Sequence, residues 1–313
     1  MKYLHKVNLP VRLEFIPKGS TELYLNQIYN EEIIDLPDTI EKIIFGRCYD
    51  RPVNNLPNTI KEIYFNYEFN QLVDNLPNSL TSITFGYNFN QQVNNLPSSL
   101  IKIIFGEHFN CSVDNLPQNI TELVFGNNFD KSVDKLPNSL KKLTLKNNFN
   151  NKIDNLPPHI ERLVLGKFFN KKVKKLPNSI TKLTFGYSFN QSVKKLPKKL
   201  IELTFGYDFN QSVNKLPETL LYLTFGYSFN KSVDNLPQNL ISITFGRSFN
   251  QQINNLPLTI KQLKFGHDFN QEMNNLPMTI EEITLVRETD KALIKKIPYE
   301  CKIVSLLTES IKE

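Results

Sequence analysis

Ile180-Thr-Lys-Leu-Thr-Phe-Gly-Tyr-Ser-Phe-Asn-Gln-Ser-Val-Lys-Lys-Leu-Pro-Lys-Lys199 decides the fold, because nearly the same twenty residues return on either side of it. Leu-Pro pairs stand at 36–37, 56–57, 76–77 and onward to 276–277 without a slip. A period this short and this strict means a solenoid, whose units cannot bury a core alone and must stack to fold. Length alone, 313 residues, would suggest two globular domains. The unbroken repeat overrides that expectation.

With Ile180 as position 1, apolar residues recur at positions 1, 4, 6, 10, 14 and 17: Ile180, Leu183, Phe185, Phe189, Val193 and Leu196. Positions 4 and 6 alternate with polar 3 and 5, the period-2 signature of a strand with one buried face. Position 5 is β-branched in Thr84, Val124, Thr144, Thr184, Thr204, Thr224 and Thr244, as an exposed strand site prefers. Each repeat therefore supplies a strand of about four residues, and stacked strands form a parallel sheet with roughly 4.8 Å between neighbours. Twenty residues leave no room for a strand and a full helix, so positions 12–16 are read as extended or 3₁₀.

Gly fills position 7 from Gly46 to Gly266, interrupted by Asn66 and Lys146, which suggests a left-handed backbone where the strand turns outward. Phe-Asn at positions 10 and 11, from Phe69-Asn70 to Phe269-Asn270, suggests an internal ring stack beside a ladder of amides. Pro at position 18 fixes a turn. Residues 1–19 read as an N-terminal cap, 20–285 as tandem repeats and 286–313 as a C-terminal cap. The last holds a short helix opened by Thr289 and ended by Pro298, with Ile303, Leu306 and Leu307 covering the final layer.

Hydrophobic residues make up 40 %, and 23 Phe against no Trp point to one aromatic position copied many times. The net charge of +6 is unevenly spread: residues 131–200 hold 17 Lys or Arg and 3 Asp or Glu, so the rest is net acidic. Met1 to Val11 lack the apolar run of a signal peptide, and no stretch of about 18 apolar residues suits a membrane. Cys48, Cys111 and Cys301 sit at unrelated positions, as expected of reduced thiols in the cytoplasm.

The spacing Ile180-x-x-Leu183-x-Phe185 followed by Asn and Leu-Pro resembles a leucine-rich repeat. The fuller pattern, Phe-Asn-x-x-Val with Leu-Pro-x-x-Leu-x-x-Leu-x-Phe-Gly, is similar to the FNIP repeat of amoebae and of giant viruses of amoebae, about thirteen copies over 20–285. The family's Pro three places after the aromatic survives as Pro52; Ser192, Ser212 and Gln252 stand there elsewhere. The resemblance implies a curved, right-handed solenoid with a parallel sheet and an extended or 3₁₀ convex side. It also implies protein binding without catalytic residues. Many relatives carry an N-terminal F-box, for which 19 residues are too few.

No chemistry-bearing cluster emerges. His5, His108, His159 and His267 fall at unrelated positions, with His108 and His267 roughly 40 Å apart at the strand spacing above. Adjacent His267-Asp268 reads as a solvated edge. No Cys-x-x-Cys, His-x-x-x-His or Gly-rich phosphate loop occurs, so neither enzyme activity nor a cofactor or metal is expected. Function is expected where repeats differ. Tyr187, Tyr207 and Tyr227 at position 8 would align beside Lys182, Glu202 and Tyr222, with Ile201, Leu221 and Ile241 next to them. Exposed aromatic and aliphatic groups with charges nearby suit a protein partner, although the tyrosines can equally stack on each other to shield the turn. The alternative is nucleic acid or another polyanion on Lys174, Lys175, Lys194, Lys195, Lys198, Lys199 and Lys215. That set lacks interleaved aromatics and spreads over several sides, which favours a solvated face.

Overall fold

The computed structural model describes residues 5–6 and 16–307. It divides into two compact units: residues 1–151 with 155–160, and residues 152–154 with 161–313. The first unit carries β1 (His5–Lys6), β2 (Glu22–Tyr24), β3 (Lys42–Ile44), β4 (Glu62–Tyr64), β5 (Ser82–Thr84), β6 (Lys102–Ile104), β7 (Glu122–Val124) and β8 (Lys142–Thr144). The second carries β9 (Arg162–Val164), β10 (Lys182–Thr184), β11 (Glu202–Thr204), β12 (Tyr222–Thr224), β13 (Ser242–Thr244), β14 (Gln262–Lys264), β15 (Glu282–Arg287) and β16 (Lys302–Leu307). Within each unit every pair of successive strands is parallel. From β2 to β15 a new strand begins every twenty residues, giving a parallel β-solenoid of about fourteen turns. Repeat strands have three residues rather than four, and positions 12–16 hold no 3₁₀ helix: in most repeats 12–14 run without regular structure and 15–16 form a turn.

The period-2 alternation builds the sheet as sequence implies. Leu183 and Phe185 are 1 % and 2 % exposed, while Thr184 between them is half-buried. Registration is strict: Lys182, Leu183 and Thr184 sit opposite Glu202, Leu203 and Thr204. Behind the strands, positions 1, 4, 6, 10 and 14 are buried in every repeat of the second unit, and position 17 is buried or nearly so. The two phenylalanines of a repeat close face to face, Phe185 on Phe189 at 3.7 Å between centroids and 9° between planes. Each ring then lies parallel to its copy in the next repeat, 5.7 Å for Phe185–Phe205 and 6.2 Å for Phe189–Phe209. Leu145 and Leu165 replace the position-6 ring and are also fully buried. Tyr49 occupies the position-10 column; its hydroxyl donates to the Pro52 carbonyl at 3.3 Å, and burial pushes its phenol far above the ordinary value. Pro52 is the one proline kept at that place in the repeat.

Beside the rings runs an amide ladder. The Asn210 N–H donates to Asn190 Oδ1 at 3.0 Å, and Gln211 Nε2 donates to the same oxygen at 2.9 Å. The motif repeats at Asn230 on Asn210 and at Asn250 on Asn230, and in the first unit at Asn90 on Asn70. Each bond is worth about 1 kcal/mol net, and its absence would leave a loop N–H without a partner. Position 18 works through its carbonyl: the Leu200 N–H donates to Pro197 O at 3.3 Å, closing the turn into the next strand.

The position-7 glycines correct the sequence reading. None has positive φ; among the described residues Gly19 is the glycine in that region, at +83°, with Asp35 and Glu300 the non-glycine cases. The reason for glycine is close approach. A Cβ on Gly206 would collide with the carbonyl oxygen of Gly186, and one on Gly226 with that of Gly206. After Asn66, Tyr67–Glu68 is a bend where most repeats have a turn. At Lys146 the turn is kept, the Phe149 N–H donating to Lys146 O at 3.2 Å.

After Leu285 a 3₁₀ segment, Glu288–Leu293, takes the place of the expected helix. It starts one residue before Thr289, where Asp290 accepts from the Arg287 N–H at 3.1 Å and from Arg287 Nε at 3.0 Å. Strand β16 extends the parallel sheet, with Ile303 opposite Ile283. Leu306, out of step with that alternation, is 54 % exposed and covers nothing. The side chains of His5, Thr289 and Leu307 and most of residues 1–19 lie outside the described residues. Among the described residues no helix is long and apolar enough to cross a membrane.

Two measurements check this account. Phe189→Ala is expected to cost roughly 3–5 kcal/mol in urea unfolding, since a wholly buried ring with partners on both sides leaves a cavity. Gly206→Ala and Gly206→Asn are expected to destabilise alike, by about 1–3 kcal/mol. A left-handed turn would instead tolerate Asn better than Ala, so recovery by Asn would refute the close-approach explanation.

Candidate functional site

The exposed sheet face is organised by columns, because residues twenty apart are neighbours. At position 3, Lys182 Nζ lies 2.8 Å from Glu202 Oε2, with Tyr222 in register beside it. The first unit shows the same alternation: Lys42–Glu62 at 3.7 Å, and Glu122 between Lys102 at 3.1 Å and Lys142 at 3.6 Å. Partial burial alone would raise the Glu122 carboxyl, but hydrogen bonds and charge from Lys102 and Lys142 hold it below the usual range. Position 2 adds Lys61–Glu41 at 2.8 Å and Lys261–Glu281 at 2.7 Å. Such exposed pairs contribute up to about 1 kcal/mol each, and their main effect is to neutralise the face.

Strands β12 and β13 break this pattern. Positions 2, 3 and 5 there read Leu221, Tyr222, Thr224 and Ile241, Ser242, Thr244, with no charge. Ile201, Leu221 and Ile241 floor a groove of about 720 Å³ whose other lining includes Lys199, Leu258 and Lys261. Threonines 219, 259 and 279 form its side. Their hydroxyls donate to the carbonyls of Leu200 at 2.7 Å, Leu240 at 2.7 Å and Ile260 at 2.9 Å. Leu258 is 75 % exposed.

The position-8 tyrosines form a closed stack. Tyr187–Tyr207 and Tyr207–Tyr227 are parallel at 4.5 Å and 4.3 Å, Lys167 stands 5.6 Å from the Tyr187 ring, and Arg247 stands 5.6 Å from the Tyr227 ring. In the first unit Arg47 covers Tyr67 at 4.8 Å, Tyr67 stacks on Tyr87 at 4.6 Å, and His108 tilts against Tyr87. Ring faces are occupied by neighbours and cations, so edges and hydroxyls remain for a partner. The mutual stacking weighed from sequence is thus present. Tyr207 sits above the ordinary phenol value, through partial desolvation first and then Tyr227 and Tyr187.

The lysine set divides. Lys199 belongs to the groove, and Lys198 is exposed beside it. Lys174, Lys175, Lys194, Lys195 and Lys215 occupy positions 15 and 16 on the turn side. Elsewhere position 16 donates to position 15 of the preceding repeat: Asn95 to Asp74 at 3.2 Å, Asn115 to Asn94 at 3.2 Å, Lys135 to Asp114 at 3.3 Å and Asn255 to Asp234 at 3.3 Å. Where Lys195 follows Lys174 and Lys215 follows Lys194, both partners are donors, and the ladder lacks its acceptor. His267 Nδ1 lies 2.9 Å from Asp268 Oδ1, both about half exposed, with Arg247 Nε 3.7 Å from the same oxygen. His108, His159 and His267 do not converge, and the described residues contain no group of three or more His, Cys, Asp or Glu placed to hold a metal.

So the structure brings Lys182, Glu202 and Tyr222 together in one column and the three tyrosines in another. Sequence reasoning missed Lys167 and Arg247 as ends of the stack and Leu258 as groove wall. Leu258 had a readable signal: it and Met278 stand at position 19, where Asn78, Gln118, Lys198 and Glu218 are polar.

The FNIP Repeat model matches in successive segments from 72–108 to 229–259, each overlapping the one before except the last, which adjoins it. CroV588, a circular LRR protein of a giant virus, is 34 % identical over 93 % of this chain and 54 % of its own, with a TM-score of 0.72. The chain therefore spans about half the length of that relative. YopM of Yersinia enterocolitica is 17 % identical over 92 % of this chain and 83 % of its own, with a TM-score of 0.42. No curated protein matches by sequence.

The stack generates a prediction. Arg247→Ala is expected to lower stability by about 0.5–1 kcal/mol through loss of the exposed cation–π contact, and Tyr207→Ala by more, since two ring pairs go. Because the folded Tyr207 value is raised, its contribution is complete below about pH 10 and declines as pH rises through that raised value. Urea midpoints between pH 8 and 11 check this; a midpoint unchanged by Tyr207→Ala, or rising with pH, contradicts it.

Proposed function

The chain belongs to the FNIP repeat family, and from that premise we propose that it is a non-enzymatic protein-interaction module working through its exposed sheet and the Tyr-bearing edge. The observation that carries this reading is the uncharged patch of β12 and β13, where Ile201, Leu221, Ile241 and Tyr222 lie open between the closed pairs Lys182–Glu202 and Lys261–Glu281. Aliphatic and aromatic groups side by side, with paired charges along the sheet before and after them, suit a desolvating partner surface. Tyr187, Tyr207 and Tyr227 extend the candidate surface with a rigid edge, held by stacking before any partner arrives.

A second reading is favoured by one specific observation, the two successive pairs Lys195–Lys174 and Lys215–Lys194 in which neither partner can accept. Lys174, Lys175, Lys194, Lys195 and Lys215 could meet a polyanion such as nucleic acid. They lack the aromatic platforms and arginine forks common in nucleic-acid grooves, which ranks this reading second.

Immobilised chains separate the two. A Leu221→Ser/Tyr222→Ser bait is expected to lose proteins that the parent retains at about 150 mM salt, while a bait with Lys174, Lys175, Lys194 and Lys195 changed to Ser keeps them. Retention of every captured protein by the Leu221/Tyr222 bait would end the first reading. Capture of a mixed-sequence single-stranded DNA that falls steeply with salt and vanishes in the lysine-free bait would put the second in its place.

A further inference from the structure

We infer that the groove floored by Ile201, Leu221 and Ile241 takes the aliphatic face of an amphipathic helix from a protein partner, with acidic residues of that helix over Lys198 and Lys199; this rests on the protein-interaction reading above. Period is the first argument. The floor residues stand immediately before successive strands roughly 4.8 Å apart, and a helix repeats its face every 5.4 Å, so a mismatch of about 0.6 Å per turn is absorbed across three or four strands. An extended segment repeats the same face about every 6.7 Å and falls out of step by the second residue. The volume of about 720 Å³ accommodates a row of aliphatic side chains rather than a single one.

Polar satisfaction is the second argument. A strand added to this surface would need backbone partners for its carbonyls as well as its N–H groups, but the threonine hydroxyl hydrogens along the side are already donated to Leu200, Leu240 and Ile260 carbonyls, leaving only lone pairs to offer. A helix brings its backbone already bonded and asks the groove only for apolar contact. Leu258 at 75 % and Met278 at 60 % exposure continue the apolar wall toward the later repeats.

Charge gives the direction. At one end Lys261 is closed onto Glu281 at 2.7 Å and has little to offer. At the other, Lys198 and Lys199 are exposed, and the carboxylate in the same column of the next repeat, Glu218, accepts the Gln238 N–H at 3.1 Å. Lys194 and Lys195, with no ion pair among the described residues, belong to the same repeat. A helix whose acidic residues lie at the Lys199 end fits this field, and a basic one is repelled.

The test displays a random peptide library of about sixteen residues, some 24 Å if helical. It is selected on the full chain, with Leu221→Glu as the subtracted target. Enriched peptides are expected to carry aliphatics at i, i+4 and i+7 with Asp or Glu toward one end, and to gain helical circular dichroism on binding. In fluorescence anisotropy they are expected to bind Leu221→Glu at least about tenfold more weakly, Lys198→Glu/Lys199→Glu several-fold more weakly, and Ser212→Ala as the parent. Leu221→Asn serves as a second, uncharged variant, and melting temperatures verify that each variant is folded. Alternating aliphatics, basic peptides, equal affinity for Leu221→Glu, or no enrichment over that variant would each overturn the inference. If it falls while Leu221→Ser/Tyr222→Ser still releases native partners, the interaction reading stands without the helix; if native partners are also kept, both fail.

Discussion

Every repeat in each unit is held at one strand spacing from the next, and most of the structure follows from that constraint. Copies of a residue become neighbours, so each column must be a side chain that tolerates itself. Phenylalanine does so by offset stacking, Phe189 on Phe209 at 6.2 Å. Asparagine does so by being donor and acceptor at once, as Asn190, Asn210 and Asn230 are along their ladder. Glycine does so by having nothing to collide with. A charged residue does so poorly, which is why Lys alternates with Glu at position 3 along Lys102–Glu122–Lys142 and Lys182–Glu202, although Arg162 beside Lys182 and the lysines of positions 15 and 16 leave like charges next to each other.

The same constraint explains what was legible in the sequence. The buried columns could be assigned from one repeat because their reasons are local: Leu183 and Phe185 alternate with Lys182 and Thr184, and the strand period is two. The role of Gly206 was not legible, because its reason lies in the backbone of Gly186, twenty residues earlier. Torsional freedom and lack of a side chain select the same residue, and only the approach of two repeats distinguishes them. The cation ends of the tyrosine stack were hidden for a similar cause. Lys167 and Arg247 are each unremarkable where they stand in the chain and matter because a tyrosine column stops beside them. Leu258 was readable, as a leucine in a column of polar residues, but only to a reading that compares position 19 down its whole length.

Stacking also limits where specificity can arise. A substitution in a buried column disturbs two neighbours at once, and one at position 7 meets a carbonyl. Positions 2, 3, 8, 15, 16 and 19 escape, because their side chains leave the coil. There the columns change character over a few repeats: from ion pairs to aliphatics and back at position 2, and from Asn and Asp to Lys and back at positions 15 and 16. A surface written this way is a strip of short segments, each three or four strands long. A partner reads such a segment only if its own repeat matches the strand spacing, or if it is flexible enough not to need one. The lysine segment imposes no spacing, since ammonium groups on long stems adjust to any anion. The Ile201–Leu221–Ile241 segment does impose one, because β-branched and γ-branched side chains on a rigid sheet hold their places. Of the two, the aliphatic segment can therefore discriminate between partners by shape, and the lysine segment only by charge.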